Sequence, residues 1–151
     1  MARARVVRLG LALTLIGVLA VASTTAAAAG GPKVLDSTMT GLPTGSLVLN
    51  GLTGGGVPWS ITDGHVQLFK DGRLHVDVAG LVITATGVNP VTSGKAVLTC
   101  SNAPVAETGT VPFSGAGDAT IDTVITLPAQ CLAPAVFFTN ASGRWFAVTG
   151  F

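Results

Sequence analysis

The segment 59–83 contains the one pattern in this chain that predicts both a pair of β-strands and their register. Apolar Val66 and Leu68 alternate with polar residues before an Asp-Gly turn signal, and a second alternating series begins at Leu74. A period of two is expected of strands with one buried face. We therefore predict a β-hairpin whose two strands are connected by a turn that contains Asp71-Gly72.

The length of the turn decides which residues of this hairpin face each other. A two-residue turn at Asp71-Gly72 would place Leu68 opposite His75 and mix apolar with polar side chains on each face. A three-residue turn, with Gly72 in the left-handed conformation of a bulge, instead places Leu68 opposite Leu74. We predict the three-residue turn, because it gathers the apolar residues of both strands on one face.

The same register creates a candidate metal site on the outer face of the hairpin. His65 would lie opposite Asp77, and His75 is two residues from Asp77 on the same side of its strand. Zinc, copper and non-haem iron accept neutral nitrogen and anionic oxygen, so His65, His75 and Asp77 are candidate ligands. The alternative is an exposed polar sheet face with a weak His-Asp pair.

The first 29 residues have the pattern of an export signal. Basic residues up to Arg8 precede an apolar run over 9–22, and small residues follow up to Ala29. We predict cleavage near Ala29, which would leave a secreted or cell-envelope domain over residues 30–151 without stable membrane insertion. An uncleaved membrane anchor is the alternative, although a span needs about 20 apolar residues.

Removal of this signal changes the balance of charges. The full chain has eight basic and seven acidic residues. Three arginines lie in the signal, so five basic and seven acidic residues remain, a net charge of −2. The remaining basic residues are scattered, whereas nucleic-acid binding needs a clustered basic surface, so we expect no nucleic-acid partner.

The two cysteines, Cys100 and Cys131, both follow the predicted signal. A pair of cysteines in a small exported domain most often forms a disulfide, and only one pairing is available. The alternative is a redox-active or metal-binding pair, which usually has Cys-x-x-Cys spacing. We predict a structural disulfide.

The rest of the chain consists of short alternating segments separated by turn residues. They include segments 46–50 and 95–101, and the longest covers 118–127. About eight or nine strands with frequent turn signals, and no helical periodicity after the signal, favour an antiparallel β-sandwich. We predict one all-β domain over residues 30–151, an antiparallel β-sandwich for which an immunoglobulin-like strand arrangement is one option.

Aromatic residues occur in consecutive pairs, Phe137 with Phe138 and Trp145 with Phe146. Neighbours in a strand point to opposite faces, so one of each pair would be exposed unless both faces are covered. Exposed aromatic side chains can mark a carbohydrate or protein contact. We expect most of these rings to pack in the core.

Several short segments together carry a resemblance to a known group of proteins. They are the Ala- and Thr-rich signal, Gly56-Val57-Pro58-Trp59, Cys100, Cys131-Leu132-Ala133-Pro134 and the ending 143–151. In these the chain resembles small exported actinobacterial β-rich proteins of no assigned function. The resemblance implies export and a β-fold, and it brings no catalytic residue.

These patterns favour a non-enzymatic binding or structural module of the secreted or cell-envelope class. No Gly-x-Ser-x-Gly nucleophile elbow occurs, and the acidic residues are not clustered for glycoside hydrolysis. We expect a protein or a cell-wall polymer as the partner and no cofactor. The alternative is a metal-binding protein that uses the outer face of the 65–78 hairpin.

Overall fold

The computed structural model describes residues 31–150. The predicted signal peptide, residues 1–29, lies outside the described residues, so its cleavage stays a prediction. Within the described range all regular elements are β-strands with antiparallel ladders. None of the described residues forms a helix that could span a membrane. The predicted all-β, antiparallel class is confirmed.

Thirteen strands, five of them only two residues long, make up the described part of the chain. In chain order they are β1 Lys33–Gly41, β2 Val48–Leu49, β3 Leu52–Thr53, β4 Trp59–Ser60, β5 Asp63–Phe69, β6 Arg73–Ala79, β7 Val82–Ile83, β8 Ser93–Cys100, β9 Ala103–Glu107, β10 Val111–Pro112, β11 Ala119–Val124, β12 Ala135–Asn140 and β13 Trp145–Thr149.

Nine of these strands form one sheet, in the order β10-β8-β12-β13-β1-β5-β6-β11 with β9 added beside β8. β1 joins its two halves, because residues up to Thr38 pair with β5 and residues from Met39 pair with β13. We call β1, β5, β6 and β11 the first half, and β13, β12, β8, β9 and β10 the second half. The sheet curls into a half-barrel, and buried apolar side chains from both halves form one core.

β5 and β6 form the predicted hairpin in the predicted register. Leu68 pairs with Leu74, and both side chains are buried. Residues 70–72 form the turn, in which Gly72 has a φ of +88°. The Gly72 N–H donates a hydrogen bond of 2.9 Å to the carbonyl oxygen of Phe69. The three-residue turn is therefore confirmed.

The paired aromatic residues of β12 and β13 are all buried. Phe137, Phe138, Trp145 and Phe146 are each at most 2% exposed. Trp145 packs edge-on against Phe137, with ring centroids 5.5 Å apart, and its indole N–H donates to the carbonyl oxygen of Leu47 at 3.2 Å. The segment between β1 and β4 therefore helps to cover the second half of the sheet. These four rings offer no exposed contact surface.

The predicted single strand at 46–50 is instead the first part of a small hairpin. β2 and β3 pair with each other across a turn at Asn50 and Gly51, whose φ values are 49° and 79°. Positive φ at both turn residues is typical of the tight turn that Asn-Gly favours. The Asn-Gly dipeptide was therefore a signal in the sequence that the strand prediction missed.

The long strand predicted at 118–127 is shorter in the structure. β11 ends at Val124, which pairs with Arg73, the first residue of β6. Beyond this point the neighbouring chain turns away, so a longer strand would have no partner for its backbone groups. Ile125 remains buried and makes one last hydrogen bond to Gly72.

Candidate functional site

The three predicted metal ligands lie on the outer face of the first half of the sheet. His65 pairs with Asp77 across β5 and β6, as the predicted register requires, and His75 pairs with Gln67. All three side chains are partly exposed, because their buried neighbours on each strand point into the core. The outer face therefore holds the predicted residues in the predicted order.

Each of these side chains also has a hydrogen-bonding partner on a flanking strand. Nε2 of His65 lies 2.8 Å from a carboxylate oxygen of Asp36 on β1. Nδ1 of His75 lies 2.6 Å from a carboxylate oxygen of Asp122 on β11. The two imidazoles therefore form separate pairs with Asp36 and Asp122, neither of which belongs to the predicted ligand set.

Asp77 completes the polar pattern of the outer face. Its carboxylate accepts a hydrogen bond of 2.7 Å from the hydroxyl of Thr120, its neighbour on β11. Over residues 31–150 no three His, Cys, Asp or Glu side chains are grouped closely enough to hold a metal ion. A metal at His65, His75 and Asp77 would therefore require these side chains to leave their present partners.

Charge on the outer face is organised around Asp36. Lys33 donates a hydrogen bond of 2.6 Å to the Asp36 carboxylate, and His65 binds the other oxygen. The Lys33 hydrogen bond, with a smaller contribution from His65, holds the pKa of Asp36 below its usual value. The carboxylate is thus ionised at neutral pH, as an ion-pair partner must be.

A different feature, an apolar cavity of about 440 Å³, lies where side chains from both halves of the sheet meet. Leu68 of β5 and Leu98 of β8 line it, and each is only 1% exposed. They therefore form its floor. The other residues around the cavity are Val34, Lys70, Leu127, Pro128, Ala129, Cys131 and Pro134.

One wall of the apolar cavity is the connection from β11 to β12, which the disulfide attaches to β8. Cys131 is bonded to Cys100, with their Cα atoms 5.0 Å apart, so the predicted pairing is present. The N–H of Ser101 also donates to the carbonyl oxygen of Leu132 at 2.7 Å. Because the connection contains no regular strand, these two attachments hold the cavity wall in place.

Lys70 is the one charged residue among those of the described chain that line the apolar cavity. It belongs to the hairpin turn, and its backbone N–H donates to the carbonyl oxygen of Pro32 at 2.8 Å. Its side chain is exposed, whereas the two leucines are buried. From the sequence, Lys70 was expected in the hairpin turn and among the scattered basic residues, and no ligand was predicted for it.

The apolar cavity had no direct signal in the sequence. Leu68 and Leu98 both follow the strand period, and nothing in their spacing indicates that they share a cavity. The one available hint was that Pro128 and Pro134 lie on either side of Cys131, which predicts an irregular connection between strands.

Comparison of the chain with protein-family models, with curated proteins and with solved structures gave no significant match. Function is therefore inferred from the geometry of the described residues.

Proposed function

We propose that this protein is a secreted or cell-envelope binding module without enzymatic activity, and that its apolar cavity receives a small apolar group. The observation that carries the proposal is the cavity of about 440 Å³ with Leu68 and Leu98 at its floor. Ligand sites in proteins are typically concave, mainly apolar and about 300–1,000 Å³ in volume. The cavity has each of these properties.

Export is the second part of the proposal. The signal pattern over residues 1–29 supports it, and so does the disulfide between Cys100 and Cys131, since such bonds persist in oxidising compartments. A protein or a cell-wall polymer remains the proposed larger partner. The apolar cavity would then hold a small molecule or an apolar group of that partner.

We also propose that the curled sheet is a variant of the predicted sandwich. In this arrangement β1 would belong to both layers, because it pairs with β5 at its start and with β13 at its end. The immunoglobulin-like form stays a prediction. A crystal structure in which the two halves enclose an open channel, instead of packing as two layers, would contradict the proposed sandwich arrangement.

Binding of a neutral fluorescent dye tests the proposed use of the cavity. The full chain is expressed with its own N-terminal sequence, the N-terminus of the purified product is determined by mass spectrometry, and Nile red is titrated. Ala129 lines the cavity and is exposed, so Ala129→Trp should fill part of the space and leave the core intact. Ala141→Trp in the β12–β13 turn is the matched control.

We expect saturable Nile red fluorescence that Ala129→Trp reduces at least about tenfold in affinity and Ala141→Trp leaves unchanged. Both variants should unfold at the wild-type temperature, because each replaced side chain is exposed. Absence of saturable binding, or equal binding by both tryptophan variants, would overturn the proposed function.

Metal binding at His65, His75 and Asp77 is a second proposal. The observation that favours it is the His65–Asp77 pairing in the hairpin, which places an imidazole and a carboxylate on neighbouring strands. Its supporting geometry is weaker than that of the cavity, because both imidazoles already have carboxylate partners. A metal would have to replace those hydrogen bonds.

A further inference from the structure

We infer that the ligand of the apolar cavity is a free, single-chain amphiphile with an anionic head, such as a long-chain carboxylate, and that Lys70 binds its head. This inference rests on the proposed function and names the class of ligand. The apolar chain would lie against Leu68 and Leu98, and the carboxylate would remain at the mouth.

The chemistry of the lining separates the two ends of such a ligand. Among the nine described residues that line the cavity none is acidic, and Lys70 supplies the one charge. The floor offers leucine side chains, so burying a charged head there would leave it without a partner at a large free-energy cost. The head must therefore stay near Lys70 while the chain enters the cavity.

Lys70 is also free to receive an anion, unlike most other cations of the described chain. Within residues 31–150, ion pairs involve Lys33, Arg73 and Lys95, and no ion pair involves Lys70. Asp71, the acid next to it in sequence, is instead bonded to Arg73 at 2.9 Å. A carboxylate at the cavity mouth would therefore meet an ammonium group that is not already neutralised.

A backbone hydrogen bond fixes the main chain of Lys70 beside the cavity. Its N–H is bound to Pro32, and the turn that carries it is closed by the hydrogen bond from Gly72 to Phe69. Only the side chain has to become ordered when an anion binds. The ammonium remains close to water, so its contribution should be moderate and should decrease at high ionic strength.

Three probes share a dodecyl chain and differ in the charge of their head group. They therefore separate the effect of head-group charge from that of the apolar chain. Dodecanoate, 1-dodecanol and dodecyltrimethylammonium are each titrated below their aggregation limits against protein saturated with Nile red. We expect dodecanoate to displace the dye at a concentration about 3- to 10-fold lower than 1-dodecanol, with the cationic probe the weakest. Raising the salt concentration should narrow this difference.

Substitution of Lys70 assigns the preference to its side chain. Lys70→Met keeps most of the chain length and removes the charge, so dodecanoate should lose its advantage while 1-dodecanol binds as before. Lys70→Arg should restore the advantage. Lys33→Met removes an equal charge from the same half of the sheet outside the cavity lining, and it should leave the preference intact.

The outcomes distinguish this inference from the proposed function. If 1-dodecanol binds and Ala129→Trp blocks it, but dodecanoate has no advantage or keeps it in Lys70→Met, the anionic ligand is wrong and the cavity proposal stands. If no probe displaces the dye and Ala129→Trp has no effect, the proposed function is wrong and the inference falls with it. A carboxylate preference lost in Lys70→Met and regained in Lys70→Arg supports both.

Discussion

Leu68 and Leu98 belong to different halves of the sheet, and both line the apolar cavity although each is only 1% exposed. Each is held by its own ladder, Leu68 opposite Leu74 and Leu98 opposite Val136. The curl of the sheet brings the two ladders to one cavity. The binding proposal depends on this meeting of the two halves, and the following predictions test the features that maintain it.

Loss of the disulfide should destabilise the protein and loosen the wall of the cavity. The bond closes a loop between residues 31 positions apart, so replacing both Cys100 and Cys131 by Ser should lower the free energy of unfolding by about 3 to 4 kcal/mol. Urea denaturation measures this change. Nile red affinity should fall as well, because the connection from β11 to β12 loses an attachment.

Reductant provides the internal control for the disulfide prediction. It should shift the urea midpoint of the wild type toward that of the double variant and leave the double variant unchanged. A loss of less than about 1 kcal/mol in the double variant would contradict a stabilising role for the bond.

Replacement of Gly72 should test the hairpin turn. Gly72→Ala would place a side chain at a φ of +88° and drive its Cβ into the backbone carbonyl oxygen of Ile125. We expect a loss of about 2 kcal/mol or more in the free energy of unfolding, measured by urea denaturation. Gly109→Ala is the matched control, since a Cβ there meets no atom of residues 31–150 within 4 Å.

The two glycine variants give a clear contrast. Gly109→Ala should change the free energy of unfolding by no more than about 0.5 kcal/mol. Equal stability of both variants would show that the left-handed turn and its contact with Ile125 do not constrain the hairpin.

Stability should decrease in acid, in part through Asp36. Hydrogen bonds from Lys33 and His65 hold the pKa of Asp36 below its usual value in the folded protein. The stabilisation is therefore fully present above the unfolded-state pKa of about 3.9, and it is lost as pH falls through the lowered folded-state pKa. Urea denaturation over this pH range should show that the free energy of unfolding decreases less in Asp36→Asn than in the wild type.

A second carboxyl group, that of Asp71, also has a lowered pKa and should contribute to acid sensitivity. The hydrogen bond from the Arg73 side chain, aided by the Arg73 backbone N–H, lowers the pKa of Asp71. Acid sensitivity should therefore be reduced in Asp36→Asn and not abolished. Asp63→Asn is the control, because Asp63 is exposed and makes no ion pair within the described residues. An identical pH dependence in wild type and Asp36→Asn would rule out the ion-pair contribution.

Thermal unfolding with added metal decides the second proposal. A metal held by His65, His75 and Asp77 at about 100 times its Kd should stabilise the fold by about 2.7 kcal/mol and raise the Tm by several degrees. His65→Ala and His75→Ala should each abolish the shift with zinc, copper or iron. Gln67→Ala, which alters the same outer face without removing a proposed ligand, should retain it.

The metal proposal fails on either of two results. One is a wild-type Tm that no added metal changes. The other is a shift that persists in both histidine variants, since the metal would then bind elsewhere.

The hairpin shows what local patterns could predict. Alternation around Val66 and Leu74, together with Gly72, was sufficient to choose the register, because a slip of one residue would move every apolar side chain to the wrong face. The disulfide was equally accessible, since two cysteines allow one pairing. Asn50-Gly51 could have been identified by the same local reasoning, because the dipeptide favours positive φ at both positions.

The partners of the two histidines are a feature that local sequence patterns do not predict. Asp36 and Asp122 lie on β1 and β11, which flank the hairpin in space but are distant from their histidines in sequence. Strand order depends on which apolar faces pack together across the whole chain, and a period of two is the same in every strand. Alternation along the strands was therefore sufficient to place His65 and His75 on the outer face, whereas their partners Asp36 and Asp122 could not be predicted from it.

Local sequence determined the all-β class, the register of the central hairpin and the identity of the disulfide, because each depends on side-chain alternation, a turn residue or a count of cysteines. Only the tertiary structure decided that β1 joins the two halves and that Leu68, Leu98 and Lys70 line one cavity. These features arise from contacts between residues far apart in the chain. Their geometry depends on how the complete sheet curls, which no single segment specifies.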